Sequence, residues 1–139
     1  MLDSFIEDKG LQNNGSWVYV EEMGFKLRRT GTPEANRELE KIKHLLFGVD
    51  YSEIALTEEQ RSEANVYFLV NWVITDWCDV KMSEGDEEIE YSKPNAYTYL
   101  YKEKGCWNSL CAYLLLRSAD YTNFLSKLLE KDKEEIKKP

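Results

Sequence analysis

The chain has 139 residues and carries 26 acidic against 18 basic side chains, a net charge of −8. A domain of this length buries about 68–70% of the surface its unfolded chain exposes, so it needs no disulfide or metal to hold a core. The charge weighs against nucleic acid as a partner, because every phosphate contact requires a cation that displaces counterions.

The opening Met-Leu-Asp-Ser-Phe lacks a basic stretch followed by an apolar run, so no secretory signal is read. The most apolar window, residues 66–74, falls well short of the roughly 20 residues that a spanning helix needs. A soluble intracellular protein with no membrane partner is expected. Cys78, Cys106 and Cys111 show no pattern of close pairs, which favours reduced thiols packed as small apolar side chains.

Residues 1–14 are polar, end in Gln12-Asn13-Asn14-Gly15, and read as a flexible lead-in. Trp17 to Val20 reads as a strand, Glu21 to Gly24 as a turn and Phe25 to Arg28 as a second strand, a hairpin over residues 17–29. Two strands alone are marginal in water, so the hairpin must pack on helices, pair with another protein, or both.

A first long helix should start at Thr32-Pro33, where Thr caps and Pro fits the first helical position, and end at Phe47 before Gly48. Ala35, Leu39, Ile42, Leu45 and Leu46 are spaced as one buried stripe. The next helix starts at the capping box of Thr57 and Gln60. It is predicted to run to Val80 as a central helix, being apolar on nearly every side from Val66 onward. Ser92 and Pro94 open another helix that Gly105 ends, a further one covers Trp107 to Leu116, and Ser118 caps a last one carrying Tyr121, Phe124, Leu125, Leu128 and Leu129. The segment 130–139 reads as a charged tail. The fold expected is therefore mainly α: a single domain over 15–129 with about five helices and a short N-terminal β-hairpin. Phe68, Trp72, Trp77, Val80, Tyr91, Trp107, Leu114 and Phe124 are assigned to its core.

No catalytic set, metal site or cofactor is read from the sequence. The sole histidine, His44, has no nearby Cys or Ser pair with which to make a triad or a zinc site. Cys106 and Cys111 would lie about 140° apart round a helix and would not share a site. The acidic stretch from Asp76 to Glu90 fails as a calcium loop, since Lys81 stands where a ligand is needed and Gly85 arrives one residue late. It reads instead as a solvated turn.

Binding residues are sought among the aromatic and basic side chains. Trp17, Tyr19 and Phe25 are amphipathic or apolar anchors on the hairpin. Arg28-Arg29 is either a basic contact for an acidic peptide or the polar end of a strand. Asn71 and Thr75 are either hydrogen-bonded at the rim of an apolar helix or part of an interface.

Gly15 with Trp17, Phe25 to Arg29, Asn36, Leu56-Thr57-Glu58, Trp77 with Val80, Gly85 with Ile89, Tyr91 and Ser92, and finally Phe124, occur in that order along the chain. Their order and spacing resemble the small tail assembly chaperones of long-tailed bacteriophages, over residues 15–125. Cys78-Asp79 stands where such proteins commonly have a small or glycine-containing pair. The resemblance implies a non-enzymatic protein that binds the tape measure protein, keeps it soluble while tail tube subunits are recruited, and then dissociates. It implies action in the host cytoplasm and absence from the mature virion, with self-association as a further possibility. A structural head-tail or tail component that stays in the virion is the alternative, and an enzyme or nucleic-acid-binding regulator is the reading with least behind it.

Overall fold

The computed structural model describes residues 6–48, 55–83, 85–103 and 109–125. A short helix α1 (Lys9–Asn14) leads into strands β1 (Ser16–Val20) and β2 (Met23–Leu27). Helices α2 (Pro33–Phe47) and α3 (Glu58–Phe68) follow, and α3 widens into a π turn over Leu69–Val73 before strand β3 (Ile74–Cys78). Helix α4 (Lys93–Tyr97) also widens, over Thr98–Glu103, and α5 (Ser109–Ala119) precedes a 3-10 turn at Tyr121–Phe124.

The three strands form one antiparallel sheet in the order β1-β2-β3, so the fold is a small mixed α/β domain and not the mainly α domain with a lone hairpin that the sequence predicts. The difference lies in Ile74–Cys78, expected as the last turns of a long helix and found as a strand. An apolar run without periodicity fits a buried helix and a buried strand equally well. Here Val73, Ile74 and Thr75 are β-branched and suit the pleated surface, and β2 has an edge that needs a partner. Pairing Gly24 with Cys78, Phe25 with Trp77, Lys26 with Asp76 and Leu27 with Ile74 covers that edge, with a shift in register between Lys26 and Leu27. Thr75, skipped in this register, directs its hydroxyl to the carbonyls of Lys26 and Asn14, at 3.3 Å each.

Glycine is required where the strands come closest. A Cβ on Gly24 would sit 2.7 Å from Cys78 Sγ and 3.0 Å from the Tyr19 ring. A Cβ on Gly15, whose φ is +106°, would meet Lys26 Cγ at 2.9 Å.

Side chains alternate across the strands. Val18, Phe25, Ile74 and Trp77 are buried in the core, whereas Trp17 and Tyr19 are half-buried on the opposite face. Trp77, 1% exposed, is the centre of the core. Its ring meets Phe25, Tyr91 and Tyr99 edge to face, with centroids 6.2, 5.6 and 5.8 Å away. Its Nε1 donates to Ile89 O at 2.7 Å, and Ile89 N donates to Val80 O at 2.7 Å, closing the 79–89 loop back on the sheet.

The helix starts follow from local chemistry. Thr32 accepts from Ala35 N, Thr57 and Gln60 form the reciprocal capping box, and Ser92 accepts from Asn95 N. The expected stripe on α2 is only partly covered: Ala35 is buried, Leu39 and Ile42 pack on the core, but Leu45 is 84% exposed. Ser118 is not a cap. It is buried inside α5, its hydroxyl donates to Leu115 O at 2.7 Å, and it lies 3.0 Å from Thr30 Oγ1. Asp120 caps the 3-10 turn instead, and the expected long last helix stops there, with Leu125 in a bridge to Glu7. Asp8 N also donates to Phe124 O at 2.7 Å, so the described part of the polar lead-in is held against the domain. Trp107, Cys106, Gly105, Leu128, Leu129 and the tail 130–139 lie outside the described residues.

Candidate partner-binding surfaces

Arg28 and Arg29 follow directly on β2, and the fold turns both guanidinium groups onto the protein itself. Arg28 Nε donates to Asn13 O at 2.8 Å, its Nη1 donates to Trp72 O at 3.0 Å, and its guanidinium lies 5.3 Å from the centre of the Trp72 ring. Trp72 in turn stacks on Phe68, with centroids 5.6 Å apart. Arg29 pairs with Glu7 at 2.7 Å, donates to Ala119 O at 2.8 Å and to Thr30 O, and lies over the Phe124 ring. These are the contacts of staples, since each ties a different segment to the end of β2.

The other binding candidates divide. Phe25, 0% exposed, is core and cannot meet a partner. Trp17 and Tyr19 stand two apart on edge strand β1, on the sheet face away from the core. Burial, and then the nearby Cys78, raises the Tyr19 hydroxyl above its ordinary pKa of 10.0. Asn71 is exposed, with its amide donating to Tyr67 O at 2.9 Å. Thr75 serves the backbone as described above. These binding candidates are therefore not gathered on one exposed surface. Of the expected core, Phe68, Trp77, Val80, Leu114 and Phe124 are buried, while Trp72 and Tyr91 are half-buried at its margin. Tyr91 donates its hydroxyl to Ile74 O at 3.0 Å.

Two surface features emerge that sequence reading missed. Tyr97 stacks on Tyr101 with centroids 5.0 Å apart, and Tyr67 joins them, its hydroxyl 3.3 Å from that of Tyr97. The shared hydrogen bond with Tyr67, then burial, pushes the Tyr97 hydroxyl up to about 12. The spacing of Tyr97 and Tyr101 is one helical turn and is visible in the sequence, but their partner on α3 is not.

The second feature is a groove of about 470 Å³ at one end of the sheet. Antiparallel pairing puts the β1–β2 turn beside the end of β3, so Glu21 and Glu22 face Asp79, Lys81 and Met82 across it. Met23 and Tyr99 line it as well, with the Tyr99 hydroxyl 3.6 Å from Met23 Sδ. Glu21 and Asp79 both have φ of 57°, and they alone among described non-glycine residues have positive φ. Glutamate in that region costs about 1 kcal/mol relative to the glycine or asparagine that turns favour. The loop beyond is shaped by its own carboxylates: Asp86 accepts from Ser83 N and Oγ, and Glu88 accepts from Asp79 N at 2.8 Å.

No cluster of three or more His, Cys, Asp or Glu among the described residues is placed to hold a metal ion. No helix among them is long and apolar enough to cross a membrane. No family model, curated protein or solved structure matches the chain.

Proposed function

We propose that this chain is a tail assembly chaperone of the kind found in long-tailed bacteriophages. It binds the tape measure protein in the host cytoplasm, keeps it soluble while tail tube subunits are recruited, and leaves before the virion is complete. The reading is carried by the collinear order of the motifs from Gly15 to Phe124. Those motifs also share physical roles. Phe25, Trp77, Val80, Ile89 and Tyr91, though up to 66 residues apart in the chain, meet in or beside one core. Gly15 stands where a side chain would collide with Lys26.

The chemistry required of such a protein is reversible coverage. A long partner with apolar stripes aggregates unless those stripes are shielded, and aromatic and thioether side chains on a small acidic domain shield them without locking the complex. Net negative charge keeps the loaded complex dispersed.

Co-expression tests the proposal. The tape measure protein encoded beside this chain should move from the insoluble to the soluble fraction, with no added metal or nucleotide. A partner that stays insoluble rejects the proposal, and recovery of the chain from purified virions at fixed copy number favours a structural tail component.

A further inference from the structure

We propose that the groove between the β1–β2 turn and the loop after β3 is the docking site for a basic segment of the client, one carrying a large apolar side chain flanked by lysine or arginine. This deepens the chaperone reading and rests on it for the identity of the client, though not for the chemistry of the segment.

Shape and charge give the occupant. The groove offers Met23 and Met82, the latter 39% exposed, beside the ring of Tyr99. Thioethers are flexible and polarisable, so they accept apolar side chains of differing shape, as a chaperone requires. Glu21, Glu22 and Asp79 stand round this lining, with Lys81 the one cation among its described residues, and Asp86, Glu87 and Glu88 are exposed on the adjoining loop. An acidic or neutral segment would meet uncompensated carboxylates, whereas a basic one is attracted and oriented by them. The backbone agrees. Glu21 occupies a left-handed turn position that glycine or asparagine adopts more easily, so a carboxylate is kept at the lip of the groove at a conformational cost. The two arginines at the opposite end of β2 are engaged internally, so of the two ends of the hairpin this is the one whose charged side chains are exposed to a partner.

The test uses the full chain and the peptide Lys-Lys-Leu-Phe-Leu-Lys-Lys, with the same peptide carrying Glu for Lys as control. Fluorescence anisotropy should show binding of the basic peptide alone, weakening as salt is raised. Combining Glu21→Gln, Glu22→Gln and Asp79→Asn should weaken it about tenfold, as expected for three partly exposed charge contacts. Glu38→Gln with Glu40→Gln on α2 should leave it unchanged. Amide chemical-shift changes should centre on residues 21–23, 79–83 and 99. Equal binding of both peptides, no binding, or shifts centred elsewhere would overturn the proposal. A melting temperature matching wild type separates lost binding from lost folding. If the triple variant folds poorly, Met82→Lys, which puts a cation at an exposed position of the lining, should weaken peptide binding in its place, and binding that persists unchanged overturns the proposal. Tape measure capture that survives the triple variant rejects the groove and spares the chaperone reading, while peptide binding without capture does the reverse.

Discussion

Arg29 Nε lies 2.7 Å from Glu7 Oε1, and this ion pair fastens the segment before α1 to the end of β2. The same guanidinium donates to Ala119 O and Thr30 O and covers the Phe124 ring, so one side chain joins the segments at both ends of the described chain. Arg29→Ala should lower stability by about 1–2 kcal/mol, because the part-buried Thr30 carbonyl loses its donor, the pair with Glu7 is lost and the stem no longer packs on Phe124. Urea denaturation checks this, and an unchanged midpoint would show that the staple is idle.

Trp77→Ala should cost about 3–5 kcal/mol by leaving a cavity among Phe25, Tyr91 and Tyr99. Trp77→Phe separates two contributions: it keeps an aromatic ring but removes the donor to Ile89 O. A cost of about 1–3 kcal/mol is expected for that carbonyl. Equal stability of the Phe variant and wild type would show that water replaces the indole N–H.

Tyr97 ionises late. Its hydroxyl is pushed from 10.0 up to about 12, first by the hydrogen bond with Tyr67 and then by burial. For a group whose folded pKa is raised, the folded state holds the proton longer than the unfolded chain, so its stabilising contribution is complete below pH 10 and is lost as pH climbs from 10 toward 12. Absorbance of tyrosinate in the folded protein should therefore include a late component that Tyr67→Phe moves to lower pH. A titration unaffected by Tyr67→Phe would contradict the pairing.

Glu21→Asn should stabilise the hairpin by roughly 0.5–1 kcal/mol, since asparagine tolerates the left-handed conformation better. The same change should weaken capture of basic peptide. Thermal denaturation checks the first outcome, and a lower melting point would place the strain elsewhere.

What was legible in the sequence was local. Thr32-Pro33, the Thr57–Gln60 box and Ser92 each satisfy amides within a few residues of themselves, and the hairpin depends on strands separated by a two-residue turn. What escaped was non-local. Strand β3 forms because β2, roughly fifty residues earlier in the chain, offers an edge, and within the segment only the β-branched Val73, Ile74 and Thr75 speak against a continuous helix. Arg28 and Arg29 looked exposed because their acceptors come from α1, the π turn and α5, which only the fold brings near. The groove escaped for the same reason: the sequence places Glu21 in a hairpin turn and Asp79 near the end of a helix, in the acidic stretch from Asp76, and the sheet makes them neighbours.

The most direct measurement of the central claim is light scattering by tape measure protein diluted from denaturant into buffer containing the purified chain. The account predicts that scattering falls to baseline near stoichiometric amounts of the chain, and that adding tail tube protein displaces the chain into the free fraction. Scattering that is unchanged at excess chain, or a chain that stays bound to assembled tubes, would contradict it.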